Sequence, residues 1–273
     1  MEHLPIIDMH MHAWELTPGE SETVMGLRSP DTPEEYLREN IALLEELNIR
    51  AVTSGSKELV RQWHQAAPDR IIPGIGIFRP DEITLDWIEE AFGKGELAVF
   101  GEIMTQLEGI PPDDPSLEPI FSLAERLDIP VGFHMGLGPR HLYPKYRASL
   151  SSPLLLEDVL ICHPHLRIYV MHAAWPMLDE MINILFIYPQ VYVDTGLIDW
   201  LLPREEFYTY LRRIVRAGFG DRVMFGSDQM IWPQAIPRAI EAITSADFLC
   251  EDEKRDILFR NATRFLRLDR LAP

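Results

Sequence analysis

The chain has only two cysteines in 273 residues, Cys162 and Cys250. That is too few for a disulfide framework, so both are expected as unpaired core thiols of a protein in a reducing compartment. Cationic side chains are also scarce: 25 Lys and Arg stand against 43 Asp and Glu, a formal charge of −18. Phosphate backbones are bound by clustered positive charge, and its scarcity removes nucleic acid as an expected partner. No apolar run reaches the roughly 18 residues of a membrane span. The opening residues MEHLPIIDMH also lack the charged and apolar blocks of a signal peptide. A cytoplasmic protein with no membrane partner is the expectation. Low-complexity tracts, long linkers and short-period repeats are likewise missing.

What is present is a composition of 47% apolar and 25% charged residues, enough to bury a large core. The length suits one (β/α)₈ barrel domain spanning 1–273. Eight short runs rich in apolar and β-branched residues support that fold: 6–14, 50–56, 71–78, 99–104, 130–136, 167–174, 191–197 and 222–229. Helical periodicity fills the intervals, at 32–48, 82–93, 115–128, 176–187, 204–217 and 234–245. In the first of these, Thr32 caps, Pro33 takes the first helical position and Glu35 completes a capping box. Leu37, Ile41, Leu44 and Leu47 share its apolar face. The alternation predicts βα units around a parallel sheet. The longest irregular segments, 15–31 and 136–152, follow strands and are expected as loops on the active-site side.

In such a barrel the active site lies at the C-terminal ends of the strands. The polar residues there are His10 and His12 on strand 1, Glu102 on strand 4, His134 on strand 5, His172 on strand 6, Asp194 on strand 7 and Asp228 on strand 8. Residues two apart on a strand point the same way, so His10 and His12 can grip one ion, with Asp8 one layer lower. Imidazoles plus a carboxylate suit zinc or a neighbouring divalent metal, and His134 and Asp228 would supply the remaining bonds. Glu102 and His172 are expected as ligand, catalytic group or hydrogen-bonding support, and Asp194 as a support. His163-Pro164-His165 repeats the His-x-His spacing but precedes strand 6, which puts it with Cys162 on the opposite, structural face; His3 and His64 are expected at the surface.

The DxHxH pattern (Asp8, His10, His12), GFHMG, YVMHAAWP and the FGSD ending at Asp228 resemble the amidohydrolase superfamily over nearly the whole chain. AAPDRIIPGIGIF (66–78) and NATRFLRL (261–268) are similar to its amidohydrolase-related branch, which includes aminocarboxymuconate-semialdehyde decarboxylase. The resemblance implies a mononuclear site ligated by His10, His12, His134 and Asp228, with His172 beside the substrate. Many two-metal members carry a carboxylated lysine at the end of strand 4. No lysine stands there, which favours one ion; Glu102 in the comparable place keeps two as the alternative.

The implied activity is hydrolysis of a small organic carboxylate, amide, ester or lactone by metal-activated water. Asp228 would exchange the water proton, and His172 would orient the water or stabilise developing charge. Decarboxylation of an unsaturated or aromatic acid is the alternative, and a non-catalytic metal-binding barrel the third reading. Trp14, Arg79, Arg140, His141, Tyr146, Trp175, Trp200, Met230 and Trp232 follow strand ends and could line a pocket. Arg140 and His141, in the loop after strand 5, are the expected anchors for an anionic group, with Trp14 and Trp175 as aromatic walls. A small-molecule substrate is the expected partner, and relatives suggest a homodimer.

Overall fold

A computed structural model of the chain describes residues 4–16, 22–136, 138 and 140–268. Each of the eight apolar runs contains a strand: β1 Ile6–Ala13, β2 Ile49–Gly55, β3 Ile71–Ile77, β4 Val99–Ile103, β5 Val131–Phe133, β6 Ile168–Val170, β7 Val191–Asp194 and β8 Val223–Met224. They form one sheet in chain order, and the pairings from β1 through β7 are parallel. The first strand also meets the chain of the eighth. Met9 N–H donates to the Phe225 carbonyl at 2.9 Å, and Asp228 N–H donates to the His10 carbonyl at 2.7 Å. Sequential parallel strands whose first and last members bond to each other form a (β/α)₈ barrel, the predicted fold. All eight residues of β1 are buried, the polar Asp8, His10 and His12 included, as expected of a strand covered on both faces.

Two compact units make up the described residues. One comprises the residues up to Pro73 and those from Thr195 onward; the other is Gly74–Asp194. No described helix is long and apolar enough to cross a membrane.

In the first unit, α1 (Pro33–Glu46) starts as predicted, with the Thr32 side chain accepting Glu35 N–H at 3.1 Å. The capping box differs: the Glu35 carboxylate accepts from Asp31 N–H at 3.1 Å, one residue before the expected partner. The buried stripe is also turned. Tyr36, Asn40 and Leu44 point inward, while Leu37, Ile41 and Leu47 are half-buried. Polar Tyr36 and Asn40 tolerate the interior because they hydrogen-bond there, Asn40 to the Tyr36 carbonyl at 2.8 Å. A second helix, α2 (Lys57–Ala66), absent from the sequence-based list, is capped by Ser56 and buries Val60 and Trp63. His64 on it is half-buried, its ring Nδ1 2.9 Å from the Ile71 carbonyl, so it is not the surface residue expected. Within the predicted 15–31 loop, Thr23–Val24 and Leu27–Arg28 pair as a short antiparallel ribbon.

In the second unit, α3 (Leu85–Gly93), α4 (Glu118–Leu127), α5 (Glu157–Cys162) and α6 (Leu178–Ile187) carry the chain between strands. Cys162 ends α5 and is exposed, as is Cys250 in the first unit; both are free thiols but neither lies in the core as expected. The core here depends on one glycine. Gly132 of β5 stands opposite Tyr169 of β6, and a Cβ at 132 would lie 2.4 Å from Tyr169 Cζ and 2.7 Å from the Gly101 carbonyl oxygen. The missing side chain is the space through which the Tyr169 hydroxyl reaches over β5 and donates to Gly101 of β4 at 2.9 Å. His163, just after α5, is buried and carries a carboxylate on each ring nitrogen: Glu125 at 3.1 Å on Nδ1 and Glu118 at 3.0 Å on Nε2. Burial works against the charged ring, yet these bonds outweigh it and raise the His163 pKa above 6.5.

Two outcomes follow from this packing. Gly132→Ala lowers the urea midpoint by an equivalent of about 1–3 kcal/mol, because neither the tyrosine ring nor a backbone oxygen can withdraw; Tyr169→Phe loses about 1 kcal/mol. An unchanged midpoint for Gly132→Ala would show that the strands shift apart freely. For His163 the raised folded pKa means that its stabilisation is fully present below 6.5 and is lost as the pH rises through the folded value. Its partners are lowered from 4.5, Glu118 chiefly by the bond to His163 and Glu125 against its own burial by His165 N–H and His163, so their share fades as the pH falls below 4.5. The stability gap between the native protein and His163→Gln, followed by thermal unfolding, is therefore greatest between these two pH values and narrows on both sides.

Candidate metal centre

His10 and His12 reach one side of β1 because they are two residues apart on an extended chain. The partner carboxylate comes from the other end of the sequence. After β8 the chain stays buried through Phe225, Gly226 and Ser227, and Asp228 then adopts φ +42°, a left-handed conformation that costs a non-glycine residue energy. The bond from its N–H to the His10 carbonyl holds that turn against β1. Asp228 Oδ1 thereby stands 3.0 Å from His12 Nε2 and 3.8 Å from His10 Nε2. All three side chains are almost fully buried, and their donor atoms lie within 4.8 Å of one another.

The donor set fits a divalent cation. Tetrahedral ligands at 2.0–2.1 Å from an ion are separated by about 3.3 Å, between the two distances seen here. Two neutral imidazoles and a carboxylate are a normal zinc-type combination, and a buried carboxylate needs positive charge beside it. Asp8 supports the group from below: its Oδ1 accepts His10 N–H at 3.0 Å and Ser227 N–H at 2.9 Å. Burial raises the Asp8 pKa to about 7 in spite of those bonds.

Aromatic side chains flank these ligands. Trp14, half-buried, stacks on His12 with ring centroids 4.6 Å apart. Trp200 is buried and its indole N–H donates to the Ser227 carbonyl at 2.8 Å, so it props the turn before Asp228. Trp232 meets Trp200 edge to face at 6.2 Å, and Met230 is half-buried with φ +49°.

The second unit holds its own polar group. Glu102 on β4 is buried, and His134 follows β5 directly, its N–H donating to the Ile103 carbonyl at 3.0 Å. His134 Nε2 is 4.0 Å from Glu102 Oε1. The Gln106 amide donates to the His134 carbonyl at 2.6 Å and contacts ring Nδ1, a support with no signature in residue spacing. β6 ends at Val170, so His172 lies on a turn and not on the expected strand; His172, Ala173 and Ala174 all have positive φ. The Asp194 carboxylate steadies this turn by accepting His172 N–H at 3.0 Å, and the His172 ring packs edge to face on His134 at 4.7 Å.

Structure brings the remaining candidates together less. Arg140 and His141 lie in an exposed turn. Arg79 is exposed and pairs with Asp81 at 3.2 Å and Glu82 at 3.7 Å. Tyr146 donates to the Gly136 carbonyl at 2.6 Å, which occupies its hydroxyl within the loop, and Trp175 is half-buried.

Comparison with known proteins gives the family through one family model and the fold through solved structures. The family model described as Amidohydrolase matches residues 7–268. The curated Protein fluG of Emericella nidulans is 22% identical over 159 residues, which is 53% of this chain and 18% of that protein's length. Among solved structures, an uncharacterised TIM-barrel protein of Bordetella bronchiseptica has 21% identity and a TM-score of 0.67, with 97% of this chain and 99% of that one covered. A probable 2-pyrone-4,6-dicarboxylic acid hydrolase of Acinetobacter baumannii, solved with citric acid, has 17% identity and a TM-score of 0.65, covering 97% and 100%. A 5-carboxyvanillate decarboxylase of Novosphingobium aromaticivorans with bound manganese has 15% identity and a TM-score of 0.63, covering 86% and 84%.

Elemental analysis of the purified protein is expected to give about one divalent ion per chain, the number that the single group of His10, His12 and Asp228 would hold. His12→Ala, dialysed in parallel, retains substantially less while its far-ultraviolet dichroism stays native. Equal metal content in the variant would remove His12 from the ligand set.

Proposed function

The chain belongs to the amidohydrolase family, and from that premise we propose that it is a metal-dependent hydrolase acting on a small organic carboxylate, amide, ester or lactone. The observation that carries the proposal is the buried placement of Asp228 Oδ1 3.0 Å from His12 Nε2, with His10 Nε2 beside them. In this reading His10, His12 and Asp228 hold the ion, and His134 is the fourth ligand by its place directly after β5. One zinc or related divalent ion is the simplest content. Glu102 is the group that would make a second ion feasible.

A divalent ion held by these residues would supply Lewis acidity and bring the pKa of water beside it down toward neutrality. The rest falls to the protein. Asp228 accepts the proton of the attacking water and returns it to the leaving group, a general acid and base task for a carboxylate beside the reacting atoms. His172, steadied through its backbone by Asp194, donates toward the oxygen where negative charge develops. Trp14, stacked on His12, is an apolar wall for the substrate.

A second reading, decarboxylation of an unsaturated or aromatic acid, draws support from the similarity to the manganese-bound 5-carboxyvanillate decarboxylase. The two differ in what is consumed and released. Hydrolysis of a responsive ester, lactone or amide in ¹⁸O-water leaves one labelled oxygen in the product and no carbon dioxide; decarboxylation of a responsive acid gives carbon dioxide and unlabelled product. In either chemistry, metal-loaded Asp228→Asn loses kcat by about 10²–10⁴-fold. Near-native turnover in that variant would take Asp228 out of the mechanism, and carbon dioxide release would replace the hydrolase with the lyase.

A further inference from the structure

β1 needs a neighbour on its β8 side as far as His12, but the last strand leaves the ladder at Asp228. The Gln229 side chain continues it. Its Oε1 accepts His12 N–H at 3.0 Å, and its Nε2 donates to the His12 carbonyl at 2.8 Å. One primary amide thus engages both backbone groups of a single residue, work that takes two residues of a parallel neighbour strand. The two bonds also fix which end of the amide faces which way. Gln229 is fully buried and does not swing on its own.

A second element locks it. Nε2 also donates to the Tyr36 hydroxyl at 3.0 Å, and that hydroxyl donates to the same His12 carbonyl at 2.7 Å, with the Met230 carbonyl also in contact. Tyr36 comes from α1 and is held edge to face by Trp63 of α2 at 5.2 Å. The chain at His12 is therefore fastened by α1, by α2 through Tyr36, and by the residue adjoining Asp228.

We infer that Gln229 and Tyr36 are positioning residues for the metal: they set the backbone, and through it the imidazole, of His12 relative to Asp228. This rests on the metal-dependent reading above. Both side chains bond to the His12 backbone and to each other, and neither belongs to the His10, His12 and Asp228 donor group. Gln229 is adjacent to one ligand and bonded to another, so movement of its amide changes the separation of His12 Nε2 and Asp228 Oδ1. A merely structural role would lower stability and leave the metal geometry alone.

Cobalt(II), whose visible bands report coordination geometry, separates these cases when added to the metal-stripped full-length protein. Native protein takes up one equivalent. Gln229→Leu, similar in size but without the amide, binds cobalt about 10- to 100-fold more weakly, as expected for loss of a group that orients a ligand, and its bands shift. Tyr36→Phe keeps the ring and its packing, and gives a smaller loss, about tenfold, at the low end of that range. Should Gln229→Leu not fold, Tyr36→Phe decides alone. Native affinity and native bands in a folded variant overturn the inference while leaving the metal-dependent reading standing. Failure of the native protein to bind cobalt overturns that reading itself, and this inference with it.

Discussion

The hydrogen bond from Asp228 N–H to the His10 carbonyl is the constraint on which the candidate centre depends. Without it, β1 would carry two imidazoles and no carboxylate. The neighbouring bonds show how the junction is made: Met9 N–H reaches Phe225, and the Asp8 carboxylate receives the N–H groups of His10 and of Ser227, residues 219 positions apart from it in the second case. Loop closure over such a span is unfavourable until many contacts form together. The ligand set consequently appears only when the barrel closes at β1 and β8, and its geometry inherits the rigidity of that closure.

Burying this group opposes folding unless each charge is answered. Asp8, His10, His12 and Asp228 all sit where water is nearly absent. Asp8 is answered by backbone N–H groups, which still leave its pKa raised by burial. Asp228 faces two imidazole nitrogens, whose lone pairs are available for a cation only when the rings are neutral. The three side chains therefore form a set that one divalent ion could satisfy at once, with the two imidazole rings 5.1 Å apart between centroids. Strained backbone collects at the same places, at Asp228 and Met230 in one unit and at His172 to Ala174 in the other. Such conformations persist when surrounding bonds over-determine them. The bonds to Asp194 and to the His10 carbonyl do that here.

Sequence alone revealed the fold because each barrel strand lies in a short apolar run, and eight of these alternate with helical stretches. The His10-x-His12 pair was legible for the same reason: strand periodicity puts alternate residues together. What escaped was decided by contacts with no local pattern. Tyr36 and Asn40 read as polar positions of α1, yet both face inward because they find partners there, which turns the helix by one residue from the stripe of Leu37 and Ile41. The apolar run 167–174 predicts a strand through His172, but the chain turns after Val170, where the Asp194 carboxylate accepts the His172 N–H. The average behaviour of cysteine predicts Cys162 and Cys250 in the core, but each lies at a helix end open to solvent. Gln229 and Gln106 left no trace, because an amide bonded to a distant backbone has no spacing rule.

Gln229 also shows why a site at the end of a strand requires more than its ligands. A strand that continued regularly past Phe225 would satisfy the backbone of His12 but would keep the Asp228 side chain in the alternating pattern of the sheet. A strand that turns away, as this one does at φ +42°, brings the carboxylate to the imidazoles and strips His12 of its ladder partner. Those two requirements conflict for any backbone alone. A side chain able to accept and donate in the plane of a peptide removes the conflict, and among the common residues only Asn and Gln offer that pair of groups. Gln, one methylene longer, spans the gap that the turn leaves. The departure of the chain at Asp228 and the amide that follows it are thus a single solution, in which pairing is given up by the backbone and restored by the next side chain.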